Sequence, residues 1–249
     1  MNKTTNNRWR NCILPTLAMT LLGTACSQSE APPSGPPDTP ANVSIVTYME
    51  REAGTDTYPV RILVSPDHVR YDDGYDESDY ALLDRRSRTL YSIAHENASV
   101  LVIENHPVSD PRPADLSLTE ERTEDNDAPA IAGKQPAHVK YLANGTPCYQ
   151  AVSVAGLMDE AVAGMAEYAT ALGERQLHNM QSVPEAMQTP CFLSRYVYAS
   201  ARHYSHGLPV QIWDESGYYS TLTDFSAQET VPAALFDIPD DYESIQLGE

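Results

Sequence analysis

The chain has 249 residues, 41% of them hydrophobic and 20% charged, with 16 Lys+Arg against 35 Asp+Glu and a formal charge of −19. That length suits one domain with a sizeable core. A chain this acidic is repelled by nucleic acid and by anionic lipid surfaces, so neither class of partner is expected.

Residues 1–11 carry Lys3, Arg8 and Arg10 and no acid, and residues 12–23 form an apolar run. Twelve residues are too few to cross roughly 30 Å of hydrocarbon, so residues 1–25 read as a signal peptide and not a membrane span. Leu21-Leu22-Gly23-Thr24-Ala25-Cys26 resembles the bacterial lipoprotein signal, with Cys26 as the acylated first residue. Gly23 stands where leucine is usual, and Gly23-Thr24-Ala25 also fits the ordinary small-residue peptidase, which would leave Cys26 a free thiol. Ser27 is not an acidic inner-membrane retention residue, so the resemblance implies a lipid-anchored protein of the outer membrane facing the periplasm. Loss of the three basic signal residues takes the formal charge from −19 to −22. Residues 26–41 form a proline-rich tether without large apolar side chains, able to hold a domain up to about 45 Å from the bilayer.

Of the four cysteines, Cys12 leaves with the signal and Cys26 takes the lipid. Cys148 and Cys191 remain, and in an oxidising compartment the expected outcome is a disulfide between them.

The single domain spans 42–249. Alternating apolar residues predict strands over Asn42–Arg51, Tyr58–Ser65, His68–Asp72, Tyr80–Leu83, Thr89–Ala94 and Ser99–Ile103, with short turns that imply antiparallel neighbours. Residues 105–135 read as a polar, acidic loop, with an irregular strand around Leu116–Leu118 as the alternative. Ala137–Leu142 and Pro147–Val154 flank Asn144-Gly145, a strong hairpin signal. After Gly156 the period changes to 3.6, predicting an amphipathic helix over 157–180. Thr189-Pro190 opens a second predicted helix, Cys191–Ser205, ended by Gly207. A last hairpin joins Leu208–Trp213 to Tyr218–Phe225, and the tail packs Leu235, Phe236 and Ile238.

Strands, then helices, then strands define an α+β protein. The runs Val69-Arg70-Tyr71-Asp72, Ala81-Leu82-Leu83-Asp84-Arg85 and Thr89-Leu90-Tyr91-Ser92-Ile93 are similar to those of a poorly characterised family of exported bacterial proteins. So are Gly207-Leu208-Pro209-Val210 and Leu235-Phe236-Asp237-Ile238-Pro239-Asp240-Asp241-Tyr242. The fold of that family looks like that of the periplasmic lipoprotein carrier and its outer-membrane receptor. The resemblance implies a curved antiparallel sheet, an incomplete β-barrel, with two helices packed on its concave face. It also implies a cavity for an apolar ligand or a lipoprotein, for which Met158, Met165, Tyr168, Leu172, Phe192 and Tyr196 are the candidate lining. The same residues also suit an ordinary core, which would leave an envelope scaffold or interaction module without a ligand.

Reactive patterns are scarce. His203-x-x-His206 has a spacing that pairs metal ligands on a helix, but no third ligand follows, and the final helical turn suits histidine through its dipole. Asp72–Asp79 has a calcium-like composition without the EF-hand order. No nucleophile elbow, Walker loop or dinucleotide glycine pattern occurs. The expectation is a non-catalytic protein without cofactor or metal.

Overall fold

The computed structural model describes residues 40–105, 111–124 and 128–247. The signal peptide, Cys26 and nearly all of the tether lie outside the described residues, as do parts of the acidic 105–135 segment.

Twelve strands form one open sheet. In chain order they are β1 (Pro40–Arg51), β2 (Tyr58–Val64), β3 (His68–Asp72), β4 (Tyr80–Asp84), β5 (Leu90–Ala94), β6 (Ser99–Ile103), β7 (Leu118–Glu124), β8 (Pro136–Ala143), β9 (Thr146–Val154), β10 (Leu208–Trp213), β11 (Tyr219–Pro232) and β12 (Glu243–Gln246). The spatial order is β12-β6-β5-β4-β3-β2-β1-β11-β10-β9-β8-β7. Neighbours run antiparallel except β12, which lies parallel to β6. Two meanders therefore meet where β1 pairs β11.

Turn chemistry fixes the meander. Ser65 Oγ accepts from the His68 N–H at 2.9 Å, closing β2 onto β3. Asp84 Oδ1 accepts from the Arg86 and Ser87 N–H groups at 2.8 and 3.0 Å, turning β4 into β5. Asn144 and Gly145 both have positive φ, 51° and 77°, as a two-residue hairpin with the strands' own twist requires.

Apart from a 3₁₀ turn over Ala233–Phe236, the helical residues described fall between β9 and β10. Helix α1 (Asp159–His178) opens with Asp159 and Glu160 and closes with Arg175 and His178, each favourable to the helix dipole. It lies close to the sheet because Gly164 has no side chain: a Cβ there would sit 2.6 Å from Val64 Cγ1. Leu157, Ala161 and Met165 join Val46, Ile62, Val64, Val69 and Leu208 in the main core. The opposite face of β2 and β4 buries Leu63 and Leu82 against Leu235 and Phe236 of the tail, with Ile238 packed alongside.

The second predicted helix is broken into pieces. Thr189 caps α2 (Pro190–Phe192) by accepting from the Phe192 N–H. The chain continues as a π-helix over Leu193–Tyr198 and, past a bend, as a 3₁₀ turn over Arg202–His206. A straight helix presents one stripe to one surface, whereas this segment meets α1, β8, β9 and β10 in turn. The acidic segment also differs from a loop. Leu116 is buried, and Leu118–Glu124 is a strand paired only with β8, the charged edge that keeps a sheet from extending further.

Gly207 ends the 3₁₀ turn at φ 100° and ψ −158°, a region open essentially to glycine alone. A Cβ there would also overlap the Val154 carbonyl oxygen. Gly207→Ala should therefore destabilise the domain by about 2–3 kcal/mol, read as a lower urea midpoint at unchanged slope.

Candidate functional site

Two concave sites lie along the helical segment and the strands it joins. The first is an apolar groove of about 450 Å³. Val152 of β9, Val210 of β10, and Leu222 and Phe225 of β11 line it, together with Ala128, Pro129, Ile131 and Pro136 of the 128–136 segment. That segment is held in shape by the Ile131–Lys134 backbone pair, at 2.9 and 3.0 Å, and by Gln135 Nε2 donating to the Ala128 carbonyl at 2.7 Å. Polar groups are few: Gln211, Asp224 and two threonines, of which Thr221 has a buried Oγ1 without a hydrogen-bond partner in the protein. An apolar lining with a handful of polar groups, in this size range, is the ordinary form of a small-molecule site.

The second site is a chamber of about 240 Å³ between β1, β3, β9 and α1. Six tyrosines line it: Tyr48, Tyr71, Tyr149, Tyr168, Tyr204 and Tyr218. Tyr71 and Tyr168 stack with ring centroids 4.2 Å apart, and Tyr48 O–H donates to the Pro209 carbonyl at 2.9 Å. Burial pushes the phenols upward, Tyr168 to about 12, so all six are neutral at ordinary pH.

Three ionisable groups share the chamber. Glu50 accepts from Tyr218 O–H at 3.2 Å and Ser220 Oγ at 3.0 Å. Burial raises its pKa, and those two hydrogen bonds offset the rise only in part. Arg195 is ion-paired with Asp214 and lies over the rings of Tyr149 and Tyr218, 4.9 and 4.6 Å from their centroids. His203 is pushed down to about 3 by burial, with Arg195 and Arg202 adding to the effect, and is therefore neutral. Its Nδ1 and the Tyr149 hydroxyl are shut off from solvent without a hydrogen-bond partner in the protein.

The six candidate lining residues do not converge on one cavity. Tyr168 and Leu172 line the tyrosine chamber, with Leu172 exposed at its rim. Met165 is filled core at 1% exposure, and Met158 sits in left-handed conformation just before α1, packed against the same core. Phe192 and Tyr196 pair with each other at 5.7 Å, and Tyr196 is half exposed. The groove was hidden because its residues are spread over three strands with no helical period. The chamber left a trace in composition: 15 tyrosines against 3 phenylalanines, an excess of hydroxyls that a purely apolar interior does not call for.

Cys148 and Cys191 form the disulfide, with Cα atoms 5.1 Å apart. His203 and His206 do not converge: His203 packs edge-on against Tyr149 at 5.8 Å, and His206 Nε2 lies 3.0 Å from Glu120 of β7. Among the described residues no three His, Cys, Asp or Glu side chains are grouped to hold a metal ion, and no helix is long and apolar enough to cross a membrane.

No family model matches the chain, and no curated protein matches it. Among solved structures it is similar to PNGF-II in its C2 crystal form, with 9% identity over 83% of this chain and 31% of that one and a TM-score of 0.39. The P21 form gives 9% identity, 83% and 32% coverage and a TM-score of 0.40. The chain thus spans about a third of the length of that protein.

Proposed function

We propose that this is a lipid-anchored binding protein of the bacterial envelope, without catalytic activity, that holds an apolar ligand or the acyl part of a lipoprotein. In this reading Cys26 carries the acyl group, the proline-rich tether spaces the domain from the outer membrane, and the domain faces the periplasm. The sheet is a half-barrel with its helices on the concave side. The observation that carries the reading is the apolar groove lined in part by residues 128–136. Its volume falls within the usual range for ligand sites. The Cys148–Cys191 bridge supports an oxidising compartment.

Native mass spectrometry on protein purified without detergent tests the ligand: the expected spectrum carries a retained lipid mass. Phe225→Asp places a negative charge in the groove and should lower the affinity for the anionic dye 1-anilinonaphthalene-8-sulfonate about tenfold or more, since the carboxylate has no partner in an apolar site and repels the sulfonate. A lipid-free protein that ignores the dye would leave the envelope scaffold as the better reading. Labelling with a palmitate analogue, present on the wild type and lost in Cys26→Ala, tests the anchor.

A further inference from the structure

We propose that the tyrosine chamber is a separate binding site, selective for a small organic cation of the amine or quaternary ammonium class. Its lining sets it apart from the groove. Beside Ile62, Ala169, Leu172, Pro209 and Ile212, six phenols, a carboxylate, a guanidinium and an imidazole offer aromatic faces and hydrogen bonds to a compact polar ligand.

Charge decides the sign of that ligand. Arg195 is matched by Asp214, and His203 is neutral. Glu50 receives hydrogen bonds only from the neutral hydroxyls of Tyr218 and Ser220, and has no cation within ion-pair distance among the described residues. Arg195 acts on Glu50 only at longer range while it is paired with Asp214, so the chamber holds one carboxylate without a directly bonded counter-charge. Buried charges are ordinarily paired, and a bound cation would pair this one.

The rings supply the rest of the recognition. Aromatic faces attract cations through the ring quadrupole, and cages of this kind bind alkylammonium groups. Arg195 already uses two of these rings in that way, over Tyr149 and Tyr218. Tyr48, Tyr71, Tyr168 and Tyr204 line the rest of the chamber, with Tyr71 and Tyr168 stacked on one another. The Tyr149 hydroxyl and His203 Nδ1 are buried without partners and suit a ligand with a hydroxyl or N–H beside its charge. A volume of about 240 Å³ limits the ligand to a handful of heavy atoms.

The test is calorimetric titration of the full chain with choline chloride and with 3,3-dimethylbutan-1-ol, which has the same shape and no charge. Choline is expected to bind at least about tenfold more tightly than the alcohol. Glu50→Gln should lower choline affinity about tenfold and leave that of the alcohol unchanged. Ring resonances of Tyr71 and Tyr168 should shift with choline in the unmutated protein. Equal binding of the two probes, or no heat and no ring shift with millimolar choline, overturns the proposal. Choline should also leave bound 1-anilinonaphthalene-8-sulfonate in place. Retained dye with no choline heat would remove the cation site alone, and choline heat with no dye binding would remove the groove alone.

Discussion

Arg70→Ala should destabilise the domain by about 2–4 kcal/mol, the loss expected when the hydrogen bonds and packing of a buried charged side chain are removed. Arg70 is 1% exposed, in the middle of β3 on the sheet face away from α1. Its Nε donates to Asp72 at 2.6 Å, one terminal nitrogen donates to the Leu235 carbonyl, and the other to the Asp76 carbonyl at 3.1 Å. Its guanidinium carbon lies 3.9 Å from the Tyr80 ring centroid. One side chain thus ties the strand to the acidic turn and to the tail. Asp72 keeps Arg61, which grips both its oxygens at 2.8 Å, so the loss is that of the Arg70 bonds and packing and not of every counter-charge.

The same cluster makes stability pH-dependent. Burial alone would raise the Asp72 pKa, but hydrogen bonds from Arg61, Arg70 and the Gly74 N–H together bring it below its ordinary 3.8. A carboxyl whose pKa is lower folded than unfolded stabilises fully above its unfolded value and loses that contribution as pH falls through the folded one. Urea midpoints should therefore drop below about pH 4 in the wild type and drop less steeply in Arg70→Ala. Equal midpoints for the two proteins at pH 7 would show that the tail does not depend on this arginine.

Cys148→Ser should cost about 4 kcal/mol, because the bridge closes a loop with a sequence separation of 43 residues and opening it frees that much chain entropy in the unfolded state. For a domain of this size the loss corresponds to a drop of about 8–16 °C in Tm. Cys148 is in β9 and Cys191 in α2, so the loop contains all of α1. A Cys148→Ser/Cys191→Ser double variant should match the single one, since either leaves the loop open. Melting unchanged by the substitution or by reductant would mean that the bridge does not form in the mature protein.

Fold and site were not equally visible in the residues. The meander was, because each strand alternates and each turn carries its own signal, as at Ser65, Asp84 and Asn144-Gly145. The pairing of Cys148 with Cys191 followed from counting cysteines. β7 was not visible, because Thr119 to Glu124 has no apolar alternation: only one edge of it is paired, and its side chains from Thr119 onward are exposed. β12 is equally exposed, and its partner β6 is far away in sequence. The break in the second helix escaped because periodicity assumes one surface, and Pro190–His206 meets several. The candidate cavity was sought along the helical stripe Met158–Leu172, where Met158 and Met165 pack in the core while Tyr168 and Leu172 line the chamber. Glu50 and Tyr71 of the chamber sit on strands about 100 residues before Tyr168, and only the folded sheet brings them together.

The place of β1 has a mechanical consequence. It is the first strand of the domain and yet lies mid-sheet, bonded to β2 on one side and β11 on the other. A pull on its Pro40 end cannot peel it away bond by bond, as it could an outer strand. It must drag the strand lengthwise past both neighbours, so that tension entering from the N-terminal side loads two ladders at once.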